Sequence, residues 1–234
     1  MLIGGLQKTS LIDYPDKLAA IIFTAGCNFR CGFCYNPELV TQINKKNLIP
    51  EKEILDFLEK RRKVLDGAVI TGGEPTMHKD LPKFIRRVRK MGYLVKLDTN
   101  GSNPEILKEL IDNNLIDYAA MDIKGPKEKY TEIAGFKNCS NFYLIDKIEK
   151  SINTLKKGNI DYEFRTTLTP SLLGKEDVIK IANWISPAKK YFLQNFQPQK
   201  TINPIFSKIK PYPDEYLAEI KKAISPLFEV CSIR

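Results

Sequence analysis

Six short apolar runs, each followed by a stretch of helical periodicity, constrain the fold of this chain more than any other feature. The runs are 18–24, 68–71, 93–97, 118–121, 162–167 and 191–196. The first, Leu18-Ala19-Ala20-Ile21-Ile22-Phe23-Thr24, is nearly unbroken in apolar character, as expected of a strand covered on both faces. Between the runs, apolar residues recur at helical spacing: Ile54, Leu55, Leu58 and Leu65, then Phe84, Ile85 and Val88, then Ile106, Leu107, Leu110 and Ile111. Ile145, Ile148, Ile152 and Leu155 follow, and then Val178, Ile179, Ala182 and Ile185. Pro82 lies near the start of one helix, and Ser102 with Glu105 reads as the capping box of the next. A last helix is expected near 214–224 and a strand-like piece at 228–233, while 1–17 reads as a short strand, a turn and a lead-in.

Such alternation implies a parallel sheet with right-handed crossovers. Periodicity alone leaves a flat sheet and a curved one both open. The polar clusters favour curvature: 27–34, 72–75, 98–101, 122–124 and Arg165 all fall at or near strand C-terminal ends. That rim binds ligands in parallel α/β proteins, and a concave wall brings groups from five strands together. The expected fold is α/β, with six strand–helix units along a curved parallel sheet. It forms one domain over 1–234, with its core at 18–196, a lead at 1–17 and an extension at 197–234.

A hydrophobic fraction of 43% over 234 residues is enough to fill such a core. Five cysteines are too sparse for a disulfide framework; three are clustered, and Cys139 and Cys231 are remote. That placement suits metal binding in a reducing compartment. With no apolar run near membrane length and no basic segment leading into an apolar core at Met1, the expected location is cytoplasmic, without membrane partners. The formal charge of +9 favours anionic partners. Its densest run, Lys60-Arg61-Arg62-Lys63, sits late in an expected helix, where cations suit the dipole, and no nucleic-acid motif accompanies it. Nucleic acid is therefore not the expected partner.

The segment Cys27-Asn28-Phe29-Arg30-Cys31-Gly32-Phe33-Cys34 carries the chemistry. Soft thiolates select zinc or iron–sulfur clusters over hard cations. Structural zinc wants four protein ligands, and Cys139, Cys231 or the single histidine, His78, would have to supply the fourth. Alternatively, the 3-2 spacing lets one loop wrap three corners of a [4Fe-4S] cubane, with the fourth iron open to a chelating substrate. Three unrelated core thiols are the weakest reading, because Asn28, Arg30 and Gly32 make a poor core strand.

CxxxCxxC followed by Gly72-Gly73-Glu74-Pro75 after the second strand resembles the radical S-adenosylmethionine (SAM) superfamily. The finer similarity is to glycyl-radical-enzyme activating proteins, especially those serving anaerobic ribonucleoside-triphosphate reductase. It is carried by Ser10 to Pro15, Phe23 to Cys31, Cys34-Tyr35-Asn36-Pro37, Asp98-Thr99-Asn100-Gly101, Asp122-Ile123-Lys124-Gly125 and Tyr130 to Gly135. This resemblance implies a partial, laterally open (β/α)6 barrel of the radical SAM type and one [4Fe-4S] cluster on Cys27, Cys31 and Cys34. It also implies SAM on the open iron and hydrogen abstraction from a glycine of a partner enzyme, with reduced flavodoxin or ferredoxin as electron donor. The backbone of Gly72 and Gly73 would meet the methionine amino group while Glu74 and Pro75 shape the turn. Phe33 would pack near cluster and adenine. Asn100, Lys124, Arg165 and Asn195 would contact SAM, and Asp98, Thr99 and Asp122 would form a monovalent-cation site. Each has a plainer role open to it: a turn for Asn100, a structural salt bridge for Lys124 and Arg165.

No cysteine-rich insert follows the loop, so one cluster is expected, with Cys139 and Cys231 as packing residues. The competing functions are a small-molecule radical enzyme such as a 7-carboxy-7-deazaguanine synthase, a tRNA-acting one, and a non-catalytic metal-binding module. Replacing Cys27, Cys31 or Cys34 singly by Ser is expected to prevent assembly of an intact cluster and abolish SAM cleavage, whereas replacing Cys139 or Cys231 should leave both nearly unchanged. Iron content and 5'-deoxyadenosine measured side by side check this.

Overall fold

The computed structural model describes residues 1–136 and 140–234. Cys139, expected as a packing residue, lies outside the described residues. Eight strands form one sheet in chain order. β1 (Ile3–Ser10) is antiparallel to β2 (Ala19–Thr24). From there each strand runs parallel to the next: β3 (Gly67–Gly72), β4 (Leu94–Thr99), β5 (Tyr118–Asp122), β6 (Asp161–Leu168), β7 (Ala188–Asn195) and β8 (Phe228–Ile233). The helices are α1 (Pro37–Val40), α2 (Glu51–Arg61), α3 (Leu81–Lys90), α4 (Pro104–Asp112), α5 (Tyr130–Ala134), α6 (Asn141–Lys157), α7 (Lys175–Ile185) and α8 (Asp214–Ile224). Six strand–helix units, β2 through α8, thus form a parallel core. β1 and β8 sit at the two ends of the strand order, unpaired with each other, so the barrel is open at its side. No helix among the described residues is long and apolar enough to cross a membrane.

The strand period of two divides the core in two. Ala20, Ile22, Ala68, Ile70, Val95 and Leu97 join the helices' Leu58, Phe84, Leu110, Ile148 and Ile181 in the large cluster between sheet and helices. The alternate residues face inward, where Ile21 and Val69 meet Tyr14, Ala19 and Tyr118 in a small second cluster. Burying a large aliphatic side chain contributes roughly 1.5–3 kcal/mol. The outer layer therefore dominates stability, and the inner face is released for polar groups. Above the apolar floor, register aligns Asp98 with Ala120, Ala120 with Glu163, Asp122 with Arg165, and Thr167 with Gln194.

Three details differ from expectation. The strand-like piece at 228–233 is a seventh parallel strand, delivered to β7 by α8. On α7, Ile181 is buried where Ile179 was expected, Ile179 being half-buried. The capping box at Ser102 does not form: Asn103 is the N-cap of α4, and the Ser102 hydroxyl instead accepts a 2.8 Å hydrogen bond from Asn28 Nδ2. A long-range partner in the cysteine loop has displaced the local one.

The other side of that loop leans on the end of α5. Arg30 N donates to Ala134 O at 2.8 Å, and the next residue, Gly135, adopts φ 60°. A Cβ at 135 would lie 2.3 Å from Arg30 O. Gly135→Ala combines a left-handed backbone with a backbone collision, and should cost roughly 2 kcal/mol or more. A thermal midpoint unchanged to within a degree would contradict this account.

Candidate active site

The cysteine loop begins where β2 ends, and backbone contacts hold it from three directions. On the β3 side, Gly73 N donates to Thr24 O and Glu74 N to Gly26 O, both at 2.8 Å. A Cβ on Gly73 would sit 1.9 Å from Gly26 O, so only glycine allows the two turns to meet. Gly72 and Gly73, expected to allow a close approach of ligand, also allow close backbone contacts within the protein: a Cβ on Gly72 would lie 2.5 Å from Thr24 N and O at the end of β2, and one on Gly73 would meet Gly26. The second support is α5. The third comes from the chain after β7: Asn203 N donates to Gly32 O at 2.9 Å and Ile202 N to Cys34 O at 3.1 Å. Phe206 meets Phe33 edge-on at 6.4 Å, and Tyr35 stacks on Phe196 at 5.7 Å.

These supports hold Cys27, Cys31 and Cys34 on one wall of a cavity of about 450 Å³ at the C-terminal rim of the barrel. The same cavity is lined by Phe33, Gly72, Gly73, Glu74, Asp98, Thr99, Asn100, Asp122, Lys124, Arg165 and Asn195, so the structure brings every expected site residue together. Cys231 stands apart on β8, in register with Tyr191 and packed against the core.

Burial, reinforced by the charge of Glu74, pushes the Cys27 thiol up to about 12. Burial also pushes Cys31 up to about 11. Such thiols become thiolates only beside a strong positive centre, as metal ligands do. Among the described residues, no three His, Cys, Asp or Glu side chains are already drawn together around a metal position. Three soft donors spread along one loop suit a polynuclear cluster, which takes one ligand at each of several corners.

Glu74 is almost completely buried. Its Oε1 accepts from Thr76 N, Thr76 Oγ1 and Thr99 Oγ1, and its Oε2 from Asn100 N at 2.6 Å. Burial raises its pKa above the ordinary carboxylate range despite those donors. The carboxylate ties the β3 turn to the β4 turn, and this occupies the Thr99 hydroxyl.

Across the cavity floor runs an ion-pair network. Lys124 Nζ lies 2.9 Å from Asp122 Oδ2, and Arg165 reaches Asp122 Oδ1 at 2.9 Å and Asp98 Oδ2 at 3.4 Å; Lys96 pairs with Asp98 Oδ1. Three cations against two carboxylates leave one positive charge in excess. Burial alone would raise both carboxyls, but Arg165 outweighs it, helped by Lys124 at Asp122 and by Lys96 at Asp98, and holds both below the ordinary range. All four carboxylate oxygens of Asp98 and Asp122 are ion-paired and Thr99 Oγ1 donates to Glu74, so a cation at the expected site of Asp98, Thr99 and Asp122 would share these oxygens with Lys96, Lys124 and Arg165. Asn195 Nδ2 donates to Tyr212 O at 2.9 Å, while its buried Oδ1 has no partner. An unpaired acceptor there is a place for a ligand's N–H or O–H.

Sequence reasoning passed over several residues around this cavity. Thr167, Gln194 and Arg234 line it, the last gripping the buried Glu163 at 2.8 and 3.2 Å. A lone Glu in the buried strand Tyr162–Thr167, and a lone Lys in Tyr93–Leu97, were the signals available, since unpaired charges are not tolerated there. Nothing local in 196–206 revealed that it closes over the loop.

An open parallel barrel with three thiols and a charged floor at its rim defines an enzyme class that holds a metal cofactor beside a small ligand. Residues 21–185 match the Radical SAM superfamily, and the chain belongs to it. It is therefore an enzyme of oxidoreductase type, with the fold of SAM-cleaving proteins. A protein of Methanocaldococcus jannaschii named "Putative glycyl-radical enzyme activating enzyme" is 35% identical over 236 residues, covering 100% of this chain and 95% of that one. The 7,8-dihydro-6-hydroxymethylpterin dimethyltransferase of the same organism is 30% identical over 80% of this chain and 35% of its own length. Among solved structures, Streptococcus suis SuiB bound to its precursor peptide SuiA superposes with a TM-score of 0.63 at 15% identity. That superposition covers 91% of this chain and about half (47%) of SuiB, and it shows the shared fold.

Asp122 gives a pH-dependent test. Its carboxyl is held low, so its stabilising contribution is complete above about pH 4 and is lost as the pH falls through the folded value. Asp122→Asn strands Lys124 and leaves Arg165 only Asp98, and should cost roughly 1–3 kcal/mol at pH 7. Its stability should also fall less steeply than wild type below about pH 5. Urea midpoints between pH 7 and 3 check both; parallel curves would refute the pairing.

Proposed function

We propose that this chain assembles one [4Fe-4S] cluster on Cys27, Cys31 and Cys34, binds SAM at the remaining iron, and takes hydrogen from a glycine of a partner glycyl radical enzyme. Anaerobic ribonucleoside-triphosphate reductase is the partner we favour. The observation that carries this reading is the end-to-end likeness to an archaeal relative named for glycyl-radical activation, together with three thiols on the wall of a side-open cavity. Held by Cys27, Cys31 and Cys34 and reduced, the cluster would supply the one electron for reductive cleavage of SAM, with methionine and 5'-deoxyadenosine as the products once the glycine hydrogen has been taken.

The chain's own residues bind, orient and enclose. Lys124 uses one of three N–H groups on Asp122, and with Arg165 it presents the floor's excess positive charge to the methionine carboxylate. The free Oδ1 of Asn195 accepts from the adenosine moiety. Phe33, Val40 and Ile202 supply apolar wall that keeps water from the reacting carbon. The lateral opening between β1 and β8 admits a protein loop, and reduced flavodoxin or ferredoxin delivers the electron.

Anaerobically reconstituted protein, reduced and mixed with SAM and the reductase, should yield a glycyl-radical EPR doublet and 5'-deoxyadenosine in comparable amounts. SAM cleavage without any doublet would refute activation and favour a small-molecule substrate of the kind the pterin methyltransferase name implies. Lys124→Ala should weaken SAM binding at least tenfold, since a charged hydrogen bond is worth about 1.5–3 kcal/mol, while iron content holds; unchanged affinity by equilibrium binding would remove Lys124 from this role.

A further inference from the structure

The turn after β4 reaches across to the first cysteine. Asn100 is buried, and its side-chain amide offers two N–H groups to two acceptors: Asn28 Oδ1 at 3.0 Å and Cys27 Sγ at 3.9 Å. Its orientation is decided by chemistry, because Ser102 N can only donate and lies 3.0 Å from Asn100 Oδ1. Exchanging O and N would set that N–H against an NH2 group. Asn28 Nδ2 then donates to Ser102 Oγ, which closes a ring of hydrogen bonds through Asn28, Asn100 and Ser102. The Asn100 backbone N–H is anchored on the buried Glu74 carboxylate. Cys27 Sγ takes a second N–H from Phe29 at 3.3 Å, while the Cys31 thiol is directed to Ala134 O at 3.6 Å.

From this geometry we infer that Asn100 is a positioning residue for the metal centre: its amide donates to the Cys27 sulfur and sets the cluster's reduction potential, and it does not serve as a contact to SAM. Both amide protons are already committed to the cysteine loop, so the side chain has no donor left for a ribose or carboxylate. An N–H directed at a ligating sulfur stabilises the extra negative charge of the reduced state, and hydrogen bonds to sulfur are among the protein's levers on cluster potential. The Cys27 sulfur strengthens as an acceptor when it passes from thiol to thiolate. The two donors also counter the nearby Glu74 charge, which works in the opposite direction. The inference rests on the cluster assigned above, but not on the identity of the partner enzyme.

The test is an EPR-monitored redox titration of reconstituted protein without SAM, comparing wild type with Asn100→Asp and Asn100→Ala. Asp keeps the shape and loses the donor; Ala loses the donor without adding charge. Both should retain wild-type iron per chain and circular dichroism. Both should be harder to reduce, with the reduced-to-oxidised ratio at the wild-type midpoint at least about threefold lower and the Asp variant shifted further. Normal iron, an unmoved midpoint and weakened SAM binding would overturn the inference and return Asn100 to the SAM site. Should the Asp variant not assemble a cluster, the Ala variant and pulsed EPR of wild type labelled with 15N-asparagine decide. A coupling to the reduced cluster is expected, and its absence overturns the proposal. A wild-type chain that assembles no cluster would sink this inference and the function together, whereas an unmoved midpoint beside a normal glycyl-radical signal sinks this inference alone.

Discussion

The contact on which the rest of the site depends is the meeting of two backbone turns, where Glu74 N–H donates to Gly26 O and Gly73 offers no Cβ to keep them apart. The cysteine loop buries Phe29, Cys31 and Phe33 in the core, but with Asn28, Arg30 and Gly32 between them burial alone does not fix its path. Its conformation is imposed by neighbours: the β3 turn, the end of α5, and the segment after β7. Peptide groups are rigid and directional, so contacts of this kind place sulfur atoms more tightly than a layer of flexible side chains would.

A second constraint is the division of labour across the sheet. The outer face and its helices carry nearly all the apolar burial, and the inner face closes with a small plug around Tyr14 and Tyr118. Charged groups stacked above that plug are tolerable because each carboxylate is paired. The network Lys96–Asp98–Arg165–Asp122–Lys124 sets three cations against two carboxylates and leaves one positive charge in excess at the cavity floor.

Much of this was legible beforehand, and the reasons are particular. Strands such as 18–24 and 68–71 read correctly because burial on both faces demands an unbroken apolar run. The rim residues were identifiable because polar groups at the ends of such strands have few structural excuses. What escaped was long-range. Ser102 has every local mark of a helix cap, yet its hydroxyl serves Asn28, 74 positions away in the chain. Asp98 and Asp122 have the oxygens of a cation site, but strand register sets Arg165 beside Asp122, and that guanidinium also reaches Asp98. Asn100 looks free in a turn, yet its amide is committed to Asn28 and Cys27.

By itself the sequence determined the alternation of strand and helix, the family, and the three sulfurs on one short loop. Periodicity and residue chemistry are local properties that a chain carries wherever it folds. The tertiary structure alone decided how those groups are partnered: which carboxylates are neutralised, which amide faces a sulfur, and that residues 196–206 close over the loop. Partnering is a matter of distances between strands far apart in the chain, and those distances exist only once curvature and register have set the inner face of the barrel.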